Sequence, residues 1–173
     1  MKTVLEKTDL GRKLLAWLEP YPVVLTRGRL AEKMPTSIQV GDGRLVFAND
    51  FESDGSTNWM FVHDVAHFLA APDEDLLKPN IGLYTFKKGD PMCPTMTPEL
   101  IELETEVFTW QGVLLRHFDH LENPAFGRSL RVAQVLFKLD SEEVMRRIET
   151  RTYDEALAEW ERKIALVRET VSV

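Results

Sequence analysis

Two histidines stand four residues apart in the run FVHDVAHFLA, at His63 and His67, and Asp64 directly follows the first. In an α-helix, residues i and i+4 share a face with about 6 Å between them along the axis. Two imidazoles so placed can converge on one ion at metal–nitrogen distances of about 2.0–2.1 Å. The surrounding Val62, Val65, Ala66, Phe68 and Leu69 make this helix largely apolar. Histidines inside such a helix need partners for their ring nitrogens, and a metal would satisfy one nitrogen of each.

Two ligands do not make a tight site, so a third group must come from elsewhere in the chain. The run TPELIELETEVFTW begins a second helix, with Thr97 as its N-cap and Pro98 at its first position. Glu99, Glu102 and Glu106 follow an i, i+3, i+7 spacing on one face, while Glu104 falls off it. Glu99 reads as a solvated first-turn acid favoured by the helix dipole. Glu106 lies two turns in, where apolar residues begin and where an unpaired buried carboxylate is costly. It is the expected third ligand, with Glu102, one turn earlier, as the alternative. Two histidines and one carboxylate with open positions suit non-haem iron(II), and they also suit catalytic zinc.

Other chemistry-bearing residues read as structural. His117 and His120, in RHFDHLENP near a helix end, are expected to be surface or capping groups. Cys93 has no base fixed near it in sequence. Trp59 and Trp110 are expected in the core. Gly41-Asp42-Gly43 and Asp54-Gly55-Ser56 are turn chemistry, since neither opens a helix in a βαβ setting.

The elements that must position the histidines follow from periodicity and punctuation. Residues 3–18 carry a helical stripe, Val4, Leu10, Leu14, Leu15 and Leu18, ended by Pro20 and Pro22. SIQVGDGRLVFAND reads as a β-hairpin turning at the Gly41–Gly43 segment. Pro72 should end the histidine helix. Pro79 to Pro98 reads as an irregular excursion with a short strand at 81–86, long enough to act as a lid that places Gly82, Leu83 and Tyr84 at the mouth of the site. After Asn123-Pro124 the pattern is helical to the end, with Asp140/Glu143 and Thr152/Glu155 spaced as capping boxes. The expected fold is α+β and mainly helical: a single domain over 1–173 with a small hairpin beside a zincin-like metal-site helix pair. The metal-site core would occupy about 44–121 and the C-terminal helices about 125–171.

Composition bounds the setting. The 173 residues are 44% hydrophobic and 28% charged, a globular profile. A formal charge of −7 argues against a broad surface for nucleic acid or anionic lipid. The lone cysteine excludes an intrachain disulfide and favours a reducing compartment. No signal-peptide core and no run of 18 apolar residues is present, so a soluble cytoplasmic protein is expected.

The segments RLVFANDF, HDVAHFLAA, IGLY and ELETEVFTWQ, in that order, resemble the elongation factor P hydroxylase family. The resemblance spans about residues 44–111. In that family two histidines and a glutamate bind a non-haem iron that supports hydroxylation of a modified lysine. Carried over, this implies Fe(II) held by His63, His67 and Glu106, and a protein or peptide substrate. Asp64 stands where the family, like HExxH zinc peptidases, carries glutamate. A peptidase needs that residue as general base on metal-bound water, whereas an oxygenase does not. The leading expectation is therefore an iron-dependent hydroxylase-like enzyme acting on a macromolecular side chain, with Asp64 orienting a histidine or a water. A zinc peptidase or amidase using Asp64 as a shortened base is one rival, and a non-catalytic helical binding module is the other.

Overall fold

In the computed structural model, the residues described are 4–27, 36–49, 56–76 and 96–170. They form seven α-helices and one three-stranded sheet. The N-terminal stripe folds as two helices, α1 (Val4–Lys7) and α2 (Asp9–Leu18). The break falls at Thr8, whose hydroxyl accepts from Gly11 N at 3.0 Å and caps α2. Gly11 is required there, because a Cβ would collide with the Leu5 backbone.

The expected hairpin is present as β2 (Thr36–Gly41) and β3 (Arg44–Asn49), antiparallel, with Asp42 and Gly43 at positive φ in the turn. A strand the periodicity did not announce, β1 (Val23–Arg27), adds parallel to β3, giving the order β1-β3-β2. It is short and follows two prolines, which hides it from pattern reading. Alternation along the sheet sends Ile38, Leu45 and Phe47 inward.

On that face lies α3 (Ser56–Ala70), the histidine helix. Phe47 meets Phe61 edge-on at 5.2 Å between centroids. Phe61, Val62, Val65, Ala66, Phe68 and Leu69 are all buried, so α3 is enclosed on several sides rather than amphipathic. Pro72 follows its end, as expected, and a 3₁₀ turn spans Asp73–Asp75. Helix α4 (Pro98–His117) packs along α3, with Thr97 as the expected N-cap. Three C-terminal helices complete the bundle: α5 (Pro124–Leu136), α6 (Ser141–Thr150) and α7 (Tyr153–Glu169). Thr152 and Glu155 form a full capping box. At α6 only half of the expected box forms. Asp140 caps the helix, but the Glu143 carboxylate turns to Arg146 and Arg147 instead of back to the cap.

Three helix C-termini are each closed by a cation from another helix. Lys13 of α2 donates to Phe118 O at 2.8 Å, and Arg116 of α4 donates to Ile148 O at 2.7 Å and Arg151 O at 2.5 Å. Lys163 of α7, only 1% exposed, donates to Phe68 O at 3.0 Å and to Ala71 O, closing the histidine helix itself. The last carbonyls of a helix lack internal partners, and the dipole favours positive charge there. These clamps tie α2 to α4, α4 to α6, and α7 to α3. No described helix is long and apolar enough to cross a membrane.

Candidate metal centre

His63 and His67 project from one face of α3, their rings perpendicular with centroids 4.7 Å apart. Facing them from α4 is Glu104, 2% exposed, with Oε1 3.9 Å from His67 Nε2. One ligand atom from each of His63, His67 and Glu104 lies within 4.8 Å of the other two. Three ligands at about 2.1 Å from one ion, at tetrahedral or octahedral angles, stand about 3.0–3.4 Å from one another, so the set closes on a metal with side-chain shifts of roughly 1 Å each. His63 is only half-buried, which leaves the cluster open on that side.

The histidines differ in what supports them. His63 Nδ1 lies 3.0 Å from Gln111 Oε1, and the edge of its ring meets Phe108 at 5.0 Å. His67 is 8% exposed, and among the described residues neither of its nitrogens makes a hydrogen bond. Its Nδ1 has no partner, and 3.9 Å from Nε2 to a carboxylate is too long. Burial, and then the neighbouring His63, hold the His67 imidazole well below its ordinary pKa of 6.5, so it is neutral at neutral pH. A neutral, buried imidazole with a free lone pair, beside a carboxylate and a second imidazole, is the donor set a divalent transition metal takes. The residues present fit such an ion.

Glu106 does not join this cluster, contrary to the expectation from sequence. It points to α6, where it receives Arg147 at 2.6 Å and Arg151 at 2.8 Å, with a second, shorter contact to Arg151. Glu102 lies on the same side, paired with Arg147 at 2.6 Å. Arg151 also stacks over Trp110, which is half-buried rather than deep in the core, at 4.4 Å. The i, i+4, i+8 row Glu102, Glu106, Trp110 is therefore the α6-facing edge of α4. The row Glu104, Phe108, Gln111 is the α3-facing edge. Counting acids from the start of the apolar stretch identified the correct helix and the wrong face. The available signal was that Glu104 sits one turn before both Val107 and Phe108, and so extends the buried stripe in the N-terminal direction. Glu99 is exposed in the first turn, where Thr97 and its own backbone N–H lower its pKa, as a capping acid should behave.

Asp64 is 5% exposed on α3 beside the first histidine. His117 is exposed and stacks flat on Tyr153 at 3.4 Å, and His120 Nε2 lies 3.1 Å from Asp9 Oδ2. Both are surface groups apart from the cluster, as expected. Gly82, Leu83, Tyr84, Cys93 and the Trp59 side chain lie outside the described residues. No family model, curated protein or solved structure matches this chain.

Proposed function

We propose that the protein is a metal-dependent, hydroxylase-like enzyme, with His63, His67 and Glu104 binding non-haem iron and a protein or other macromolecular side chain as substrate. The observation that carries this reading is the convergence of two imidazoles and one carboxylate from two packed helices, half-open to solvent at His63. Two histidines and one carboxylate occupy one side of an ion and leave positions free, the ligand set of non-haem iron oxygenases. The motif resemblance to elongation factor P hydroxylases points the same way, and Glu104 takes the ligand role first expected of Glu106. The helix pair is zincin-like in this sense: an HxxxH face on one helix, and an acid from the next.

When bound, iron would supply redox chemistry with dioxygen, and hydroxylation would draw on an external reductant. The chain's own contribution is positional. Lys163 fixes the C-terminal end of α3 just beyond His67. Phe108, whose ring meets His63 at 5.0 Å, limits water on that side of the ligands. Glu104 supplies the single negative charge among the three ligands, leaving a divalent ion with a net positive charge.

Elemental analysis of protein purified without added metal tests the proposal, followed by oxygen-uptake measurements on iron-loaded protein. Bound iron with uptake supports it. Zinc with peptide hydrolysis and no oxygen uptake would replace it with the hydrolase reading. Well-folded protein that takes up neither metal would leave the cluster as a packing feature of a binding module.

A further inference from the structure

Gln111 is fully buried on the α3-facing edge of α4, seven residues and about two turns after Glu104, with Phe108 between them. Its amide oxygen lies 3.0 Å from His63 Nδ1. We propose that Gln111 is a positioning residue of the metal centre: it holds His63 in the Nδ1–H tautomer and so reserves Nε2 for the ion. This rests on the reading of the cluster as a metal site.

The chemistry follows from the donor inventory. An amide oxygen only accepts, so the nitrogen facing it must carry the proton. Neutral imidazole has one N–H, and with that proton on Nδ1 the lone pair is on Nε2. A free imidazole interconverts between tautomers and rotates about its side-chain bonds. A fully buried partner removes both freedoms before a metal arrives, which is how outer partners of ligating histidines raise affinity. His67 has no such partner among the described residues, so the two ligands are not equivalent. His63, the more exposed, is the one whose orientation is fixed by Gln111. The partner is also an amide rather than a carboxylate. It orients the ring without adding a second negative charge to the site, and it makes His63 a weaker electron donor than an anionic partner would.

Long-range proton–nitrogen NMR of the full chain carrying ¹⁵N-labelled histidine reads the tautomer directly, and zinc(II) and cobalt(II) titrations read affinity. In the wild type, His63 should appear as Nδ1–H with Nε2 unprotonated. Gln111→Met, close in volume, should lose that preference and weaken zinc binding by about 10–100-fold. Gln111→Glu, which still accepts at Nδ1, should restore the tautomer and bind at least as tightly as wild type. It should also shift the cobalt absorption bands, a change that a merely structural role would not produce. Circular dichroism verifies that both variants fold, and if Gln111→Met does not, the wild-type tautomer and the Gln111→Glu titration decide. A wild-type His63 protonated on Nε2 would overturn the inference. So would wild type that binds zinc while a folded Gln111→Met binds it equally well. Wild type that binds neither zinc nor cobalt would overturn the metal reading itself, and this inference with it.

Discussion

Glu104 Oε1 lies 3.9 Å from His67 Nε2 across the α3–α4 interface, and both side chains are almost wholly buried. Glu106, two residues on, is turned away into a pair of arginines. These two carboxylates divide α4 into a chemical edge and a structural edge, and mutagenesis can separate them. Removing one of three ligands leaves a weakly chelating pair, so His63→Ala, His67→Ala and Glu104→Gln should each lower metal occupancy at least tenfold. Glu106→Gln should keep the metal and lose stability, by about 1–3 kcal/mol, because partly buried Arg151 loses its charged partner and Arg147 loses one of three. Elemental analysis and urea denaturation of the same four proteins measure both effects. Metal lost in Glu106→Gln but kept in Glu104→Gln would reverse the assignment.

Lys163 provides a pH test of how α3 is anchored. Burial lowers its pKa from 10.5 to about 8, against the smaller opposing pull of Glu159. Between those values the unfolded chain holds a proton that the folded chain has released, so stability due to this residue rises with pH across about 8–10.5. At pH 7, Lys163→Met removes a buried charge and two hydrogen bonds together, and these effects nearly offset each other. At pH 10 only the hydrogen-bond loss remains, so wild type should gain on the variant by up to about 3 kcal/mol. Chemical denaturation of both proteins from pH 7 to 10 reads the gap. A gap that stays constant would show that the lysine titrates alike in both states.

Asp64 separates the two enzyme classes. A carboxylate acting as general base must reach the attacking water, within about 2.6–3.2 Å between heavy atoms. In a hydrolase, Asp64→Asn should abolish turnover with metal still bound. In an iron oxygenase it should leave measurable oxygen uptake, because the ligands are elsewhere. Peptide cleavage by the parent protein that disappears in Asp64→Asn, without any oxygen uptake, would favour the hydrolase.

Gly112 marks a close approach of α4 and α6. A Cβ there would fall 2.7 Å from Ile148 Cγ1 and closer still to its Cδ1. Alanine improves helix propensity by about 0.5–1 kcal/mol. Overpacking in a filled core costs about 1–3 kcal/mol, and Ile148 is itself buried among α4 and α6 side chains. The second effect should win, giving Gly112→Ala a net loss of about 1–2 kcal/mol. A double variant with Ile148→Val should recover part of it in thermal melts. A stabilised single variant would show that Ile148 moves aside freely.

The elements themselves were legible in the sequence because local rules govern them. The His63/His67 spacing, the Thr97-Pro98 helix start, the Gly41–Gly43 hairpin and the Thr152 capping box each depend on interactions within a few residues. The chain could therefore be read as mainly helical, with two histidines on one helix face and an acid-bearing helix to meet them. Tertiary structure decided which acid met them. Glu102, Glu104 and Glu106 are close alternatives in local propensity, and what separates them is rotation of α4 against its neighbours. Arg147 and Arg151, more than 40 residues later, draw Glu102 and Glu106 to one side. The stripe through Phe108 turns Glu104 to the other. Strand β1 was hidden for the same reason, since its pairing with β3 lies outside its own five residues. Helix periodicity fixes which side chains share a face, but only packing determines what that face meets.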